Sequence, residues 1–206
     1  MKFILTSNSY QITKEWSKEF GMNPSKLKVA FIDTAADVYN KAEADWLKAD
    51  RDNLTDVGFT VSDYSLVDKT RDQLIKDLSI FDVFFVSGGN TFYLLEKANK
   101  SGFSDLIKEN YFKYKIYVGS SAGSVLLSNS IKAIKFLDDP KKANLDSYDG
   151  VGIFNFTIFP HWGSENFREK HLKALDYAYQ NSIQGFVLAD NQYILSENGS
   201  FKLISI

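Results

Sequence analysis

Seven short apolar runs punctuate this chain, at residues 2–5, 28–32, 59–62, 83–86, 116–118, 154–159 and 186–188, and amphipathic stretches lie between them. Several runs, Val83-Phe84-Phe85-Val86 above all, are β-branched or aromatic with little polar–apolar alternation. Strands of that kind bury both faces, as they do in parallel sheets covered by helices on each side. The intervening stretches carry a helical period. In 40–57, Leu47, Leu54 and Val57 share one face while Lys41, Lys48 and Arg51 can stay wet. Leu74, Ile75 and Leu78 mark a helix in 69–78, Leu94 and Leu95 follow a start at Thr91, and His171, Leu172, Leu175 and Tyr179 line up in 165–179. This alternation predicts an α/β fold, a three-layer sandwich with a mostly parallel central sheet. Tyr193–Leu195 and 201–205, flanking Glu197-Asn198-Gly199, add an antiparallel C-terminal hairpin. No repeat or linker-like stretch interrupts the 206 residues, which read as a single domain over 1–206.

Composition removes several classes of function. The net charge is only -2, which gives no electrostatic reason to expect nucleic acid or an anionic membrane as partner. Cysteine is absent, so disulfides, thiolate-bound metals and a cysteine nucleophile are excluded. The N-terminal apolar run is too short for a signal-peptide core, and no stretch nears the roughly 20 apolar residues of a membrane span. The expectation is a cytoplasmic protein, with no membrane partner and with a homodimer left open.

Parallel α/β sheets place their sites at the carboxyl ends of the strands, so motifs directly after strands carry the chemistry. The strongest is Gly119-Ser120-Ser121-Ala122-Gly123, following the strand at 116–118 and preceding the apolar, helix-compatible Val125-Leu126-Leu127. A Gly-x-Ser-x-Gly in that setting predicts a nucleophile elbow with Ser121 raised off the sheet. Ala122 can offer its N–H to an oxyanion, and the following helix its positive end. A second strand, 83–86, runs into Ser87-Gly88-Gly89-Asn90-Thr91, where Gly89 is the candidate for a second oxyanion N–H. Only two histidines exist. His161 stands just past a strand and is the candidate general base, whereas His171 lies in a helix and reads as a partly exposed surface residue. A carboxylate must orient His161. Asp138, Asp139, Glu165 and Asp190 are available, and strand-end placement favours Asp190, with Asp139 the alternative. No grouping has metal-ligand spacing, and neither phosphate-loop nor dinucleotide fingerprints occur, so neither metal nor cofactor is expected.

Together Gly88-Gly89-Asn90-Thr91, Gly119-Ser120-Ser121-Ala122-Gly123 and Phe159-Pro160-His161 resemble the peptidase E family, serine peptidases related to cyanophycinase and similar in fold to class I glutamine amidotransferases. The resemblance covers most of the chain in order and spacing. It implies a nucleophile at Ser121 and a base at His161. Peptidase E removes N-terminal aspartate from dipeptides and holds the aspartyl carboxylate with an arginine after the histidine. Phe167-Arg168-Glu169-Lys170 resembles that stretch, which carries the substrate-binding role to Arg168. Two departures bear on specificity: the interval from His161 to Arg168 is shorter than in peptidase E, and Ser120 stands where peptidase E has a bulky aromatic.

The expectation is therefore a serine peptidase acting on small peptides, Asp-X dipeptides among them, through Ser121, His161 and Asp190, with Gly89 and Ala122 as oxyanion donors. Its rivals are a broader esterase or amidase and a non-catalytic binding module. Only forty residues separate Ser121 from His161, little room for the strands and cap of an α/β-hydrolase esterase.

Overall fold

A computed structural model describes all of residues 1–206. The chain runs β1 (Lys2–Thr6), α1 (Ser9–Trp16), β2 (Lys28–Ile32), α2 (Asp45–Val57), β3 (Thr60–Tyr64), α3 (Arg71–Leu78), β4 (Val83–Val86), α4 (Thr91–Ser101), α5 (Phe103–Lys108), β5 (Ile116–Ser120), α6 (Ala122–Val125), β6 (Thr157–Trp162), α7 (Arg168–Gln180), β7 (Gly185–Ala189), β8 (Gln192–Glu197) and β9 (Ser200–Ser205). Seven strands form the central sheet in the order β3-β2-β4-β5-β1-β8-β9. The first five are parallel, and β8 joins β1 antiparallel. β8 and β9 form the expected hairpin, with positive φ at both Asn198 and Gly199, the backbone a tight primed turn requires.

The apolar runs lack alternation because each strand serves two cores. On β4, Phe84 and Val86 enter the larger cluster and Val83 and Phe85 the smaller one on the opposite face. On β2, Ala30 and Ile32 divide from Val29 and Phe31 in the same way. Ile12 and Trp16 of α1 and Leu47 and Leu54 of α2 cover one face. Residues of α3, α4, α5 and α7, Leu78, Leu95, Leu106 and Ala174 among them, cover the other. These are the three layers of an α/β sandwich, and no helix is long and apolar enough to cross a membrane.

Four elements depart from the sequence expectation. The run at 154–159 becomes a strand only from Thr157, and it continues through Pro160 and His161 to Trp162. Phe154 makes a single bridge to Ser128. β6 and β7 pair in parallel with each other as a separate two-stranded sheet instead of extending the central one. The helix expected across 40–57 begins at Asp45, after a 3₁₀ turn at Lys41–Glu43 whose Asn40 side chain accepts the Ala42 N–H. Finally, the helix after Ser121 is one turn long. The Leu126 and Leu127 carbonyls accept N–H groups from Val151, Ile153 and Phe154, which ends helical pairing there. The helix dipole expected behind Ser121 thus reduces to the N–H groups of one turn.

Candidate active site

The carboxyl ends of β1, β4, β5 and β6 converge on one cavity of about 530 Å³. Ser121 stands there directly after β5, with φ 48° and ψ -107°, a conformation that costs on the order of 1–3 kcal/mol in a residue with a Cβ. Its surroundings over-determine that bend. The Ser121 N–H donates to Thr6 O at 3.1 Å. Ser124 Oγ donates to Thr6 O and Gly119 O at 2.8 and 2.9 Å, and the buried Tyr117 hydroxyl donates to Gly123 O at 2.7 Å. Both flanking glycines are required by close approach. A Cβ at 119 would stand 2.6 Å from the Ser124 nitrogen, and one at 123 would overlap the Val86 carbonyl. The elbow therefore packs against two neighbouring strands at once.

Ser121 Oγ lies 3.0 Å from His161 Nε2, and His161 Nδ1 lies 3.0 Å from Asp190 Oδ1. His161 sits at a β-bulge in β6 with φ 62°, and its ring stacks on Phe167 at 4.8 Å between centroids. Asp190 follows β7. Ser7, just past β1, ties the two together: its hydroxyl donates to Asp190 Oδ1 at 2.5 Å and accepts the His161 N–H at 2.5 Å. Burial alone would raise the Asp190 carboxyl. Hydrogen bonds from His161, Ser7 and Asn8 outweigh it and hold the group below the ordinary aspartate value. Asp190 is therefore ionised near neutrality. It fixes the proton on Nδ1 and leaves Nε2 as the acceptor facing the Ser121 hydroxyl.

Gly88 and Gly89 face Ser121 from the end of β4. Their N–H groups donate to no protein acceptor. Gly89 has φ 133°, and a Cβ there would collide with the Ala35 backbone, so only glycine fits. Ala122 opens the single turn that follows Ser121. The free N–H groups at 89 and the turn beginning at 122 are the donors available for a developing oxyanion.

The other acidic candidates do not touch His161, although Asp138 also lines the cavity. Asp138 accepts the Thr91 N–H and hydroxyl at 2.9 and 2.6 Å at the start of α4. Asp139 accepts the Lys141 N–H and caps a 3₁₀ turn. Glu165 is exposed and lies 3.8 Å from Arg168. The Arg168 side chain is itself 73% exposed and does not line the cavity, so the structure does not bring it to Ser121. His171, expected at the surface, is 2% exposed with Nε2 2.8 Å from Pro160 O; it braces the strand that carries His161. The inward stripe of its helix is shifted from the expected one, running through His171, Ala174, Leu175 and Ala178 and leaving Leu172 and Tyr179 exposed.

Ser7, Asn8 and Asp50 are among the lining residues that escaped sequence reading. Ser7 and Asn8 follow a strand and could have been flagged by the strand-end rule. Asp50 shares the buried stripe of α2 with Leu47 and Leu54, and a carboxylate at that period was the available signal.

The model of peptidase family S51 matches residues 3–204. The chain belongs to peptidase family S51. It is a serine-type peptidase hydrolase by that membership. An uncharacterized peptidase of Listeria monocytogenes is 31% identical over 185 residues, covering 89% of each chain. A peptidase E of Nostoc is 28% identical over 168 residues, 78% of this chain and 65% of that one. Among solved structures, a candidate peptidase E protein of Listeria monocytogenes superposes with a TM-score of 0.88 at 27% identity, covering 100% of this chain and 98% of that one. The S51 membership agrees with the resemblance read from the three sequence segments.

Proposed function

We propose that this S51 peptidase hydrolyses small peptides through an acyl-enzyme on Ser121, with His161 as general base and acid and Asp190 as its orienting carboxylate. The observation that carries this is the unbroken chain of 3.0 Å contacts from Ser121 Oγ through His161 to Asp190 at the cavity wall. Ser121 Oγ bonds to the scissile carbonyl carbon as its proton passes to His161 Nε2. The carbonyl oxygen, now an anion, takes hydrogen bonds from Gly89 and Ala122 N–H. His161 then gives the proton to the departing amine as the C–N bond breaks, which leaves Ser121 acylated. Water repeats the attack with His161 again accepting a proton, and the acid product departs from a regenerated Ser121. Asp190 stays ionised throughout and stabilises the imidazolium.

An Asp-X specificity is the finer possibility, and Arg168 would have to supply it. We place no requirement for an acidic first residue on this enzyme, because the ionisable group buried beside Ser120 is itself a carboxyl, Asp50. Reaction with a fluorophosphonate, scored as mass added to Ser121, tests the core of the proposal. Wild-type protein should label and His161→Ala should label far more slowly. A wild-type serine that stays unlabelled while a dipeptide library stays uncut would overturn it.

A further inference from the structure

Across the whole chain only two buried side-chain polar atoms lack a hydrogen-bond partner, Asn8 Oδ1 and Asp50 Oδ1. Both residues line the cavity that holds Ser121. Orphaned buried oxygens are costly, the more so on a carboxylate, and natural folds retain few without a reason. Asn8 cannot turn to relieve the problem, because its amide already supports Asp190. Asp50 has Ser120 and the Tyr10 N–H as neighbours, and no lysine or arginine pairs with it. Without a counter-charge, burial pushes its carboxyl up to about 7.

The position is as informative as the unmet demand. Asp50 stands beside Ser120, one residue before Ser121, and it is one of the residues that line the cavity although only 2% of its surface is exposed. Trp46, one turn earlier on α2, reaches the same wall: a Cβ added at Gly88 would be 3.4 Å from Ser121 Cβ and 3.7 Å from the Trp46 ring. Tyr10 and Tyr39 complete an aromatic lining. Two free acceptors, one of them ionisable, among aromatic rings suit a group that brings several N–H donors and a positive charge.

We propose that Asp50 and Asn8 form a recognition site for a protonated amine on the substrate residue that acylates Ser121. This rests on Ser121 being the nucleophile. The amine has two sources, the α-ammonium of an N-terminal residue and the side chain of a lysine.

Aminoalkyl phosphonate diphenyl esters, which phosphonylate an activated serine without turnover, separate these. The probes are the alanine and lysine analogues, each with a free and an acetylated α-amine. The wild-type protein should react with the free alanine probe about ten- to a hundredfold faster than with its acetylated form. If the side chain is the source, the acetylated lysine probe should instead outpace acetylated alanine by that factor. Asp50→Asn should bring the favoured ratio toward one, and Asn8→Ser should reduce it as a second, independent lesion. A purely structural Asp50 would slow every probe in parallel and leave the ratio standing. Equal rates for all four probes, or no reaction with any, in a protein that still takes up fluorophosphonate at Ser121, would overturn the amine site alone. Failure of the fluorophosphonate itself would remove the nucleophile on which it depends.

Discussion

Asp50 and Asp190, two of the three aspartates that line the cavity, are treated in opposite ways. Asp190 is met by His161, Ser7 and Asn8, and its carboxyl is held below the usual range. Asp50 is the more deeply buried of the two, yet it keeps an oxygen unmatched and its carboxyl rises to about 7. The difference separates two jobs. A group that must orient a base has to be fixed and charged before substrate arrives, so the fold supplies its donors in advance. A group whose partner is a ligand must be left wanting, and its cost is met only when the ligand binds.

The comparison is tested most severely on the saturated side. Ser121→Ala should fold and lower kcat on the order of 10⁶-fold, since loss of a triad nucleophile leaves only binding and oxyanion stabilisation. Rates within tenfold of wild type would show that the satisfied network is not where the chemistry occurs. Asp190→Asn is expected to lower kcat on the order of 10⁴-fold with KM little altered, because an amide no longer holds the Nδ1 proton in place electrostatically. Steady-state kinetics on a cleaved dipeptide would show it, and a change confined to KM would assign Asp190 to binding instead.

What the sequence revealed of this arrangement follows from one rule, that strand ends bear the site. Gly89, Ser121, His161 and Asp190 all directly follow or end apolar runs, so they could be picked out and are all found at the cavity. The parallel sheet was legible for the same reason, since unalternating runs such as 83–86 demand cover on both faces. Pairing was not. Nothing in the runs at 154–159 and 186–188 says that they pair with each other apart from the main sheet. Asp50 was hidden differently. It sits in the middle of a helix, and only the packing of α2 against α1 and the start of the elbow gives it a role. His171 was misread because a helical period does not say which stripe faces inward when Leu172 and His171 are neighbours.

The unsaturated side makes a prediction about stability. Folded protein keeps a proton on Asp50 up to about pH 7, whereas the unfolded chain releases it near 3.8. With the folded value raised, stability is lost as pH climbs through the interval between them. Asparagine at 50 does not titrate. Asp50→Asn should therefore gain on wild type by roughly 3 kcal/mol between pH 5 and pH 8, several degrees in Tm. Thermal melts at the two pH values measure this. A difference between the two proteins that stays constant with pH would mean that Asp50 is matched after all, and the contrast with Asp190 would dissolve.

The smallest effect is expected at Arg168, and it bounds the comparison from outside. The side chain is 73% exposed, reaches only the similarly exposed Glu165 at 3.8 Å, and has no atom at the cavity wall. A solvated pair of this kind contributes little, on the order of a few tenths of a kcal/mol. If charge recognition in this enzyme belongs to the buried acceptors, Arg168→Met should leave kcat/KM for Asp-X and Ala-X dipeptides within about twofold of wild type, with Tm essentially unmoved. An arginine that gripped a substrate carboxylate would behave otherwise. Removing it would cost the acidic substrate about ten- to a hundredfold and spare the neutral one. That selective loss would require the segment after His161 to bring Arg168 over the cavity when substrate binds, and it would make the enzyme a reader of acidic as well as basic groups. Parallel kinetics on the two dipeptides, with Asp50→Asn run beside Arg168→Met, decides which side of the cavity reads substrate charge.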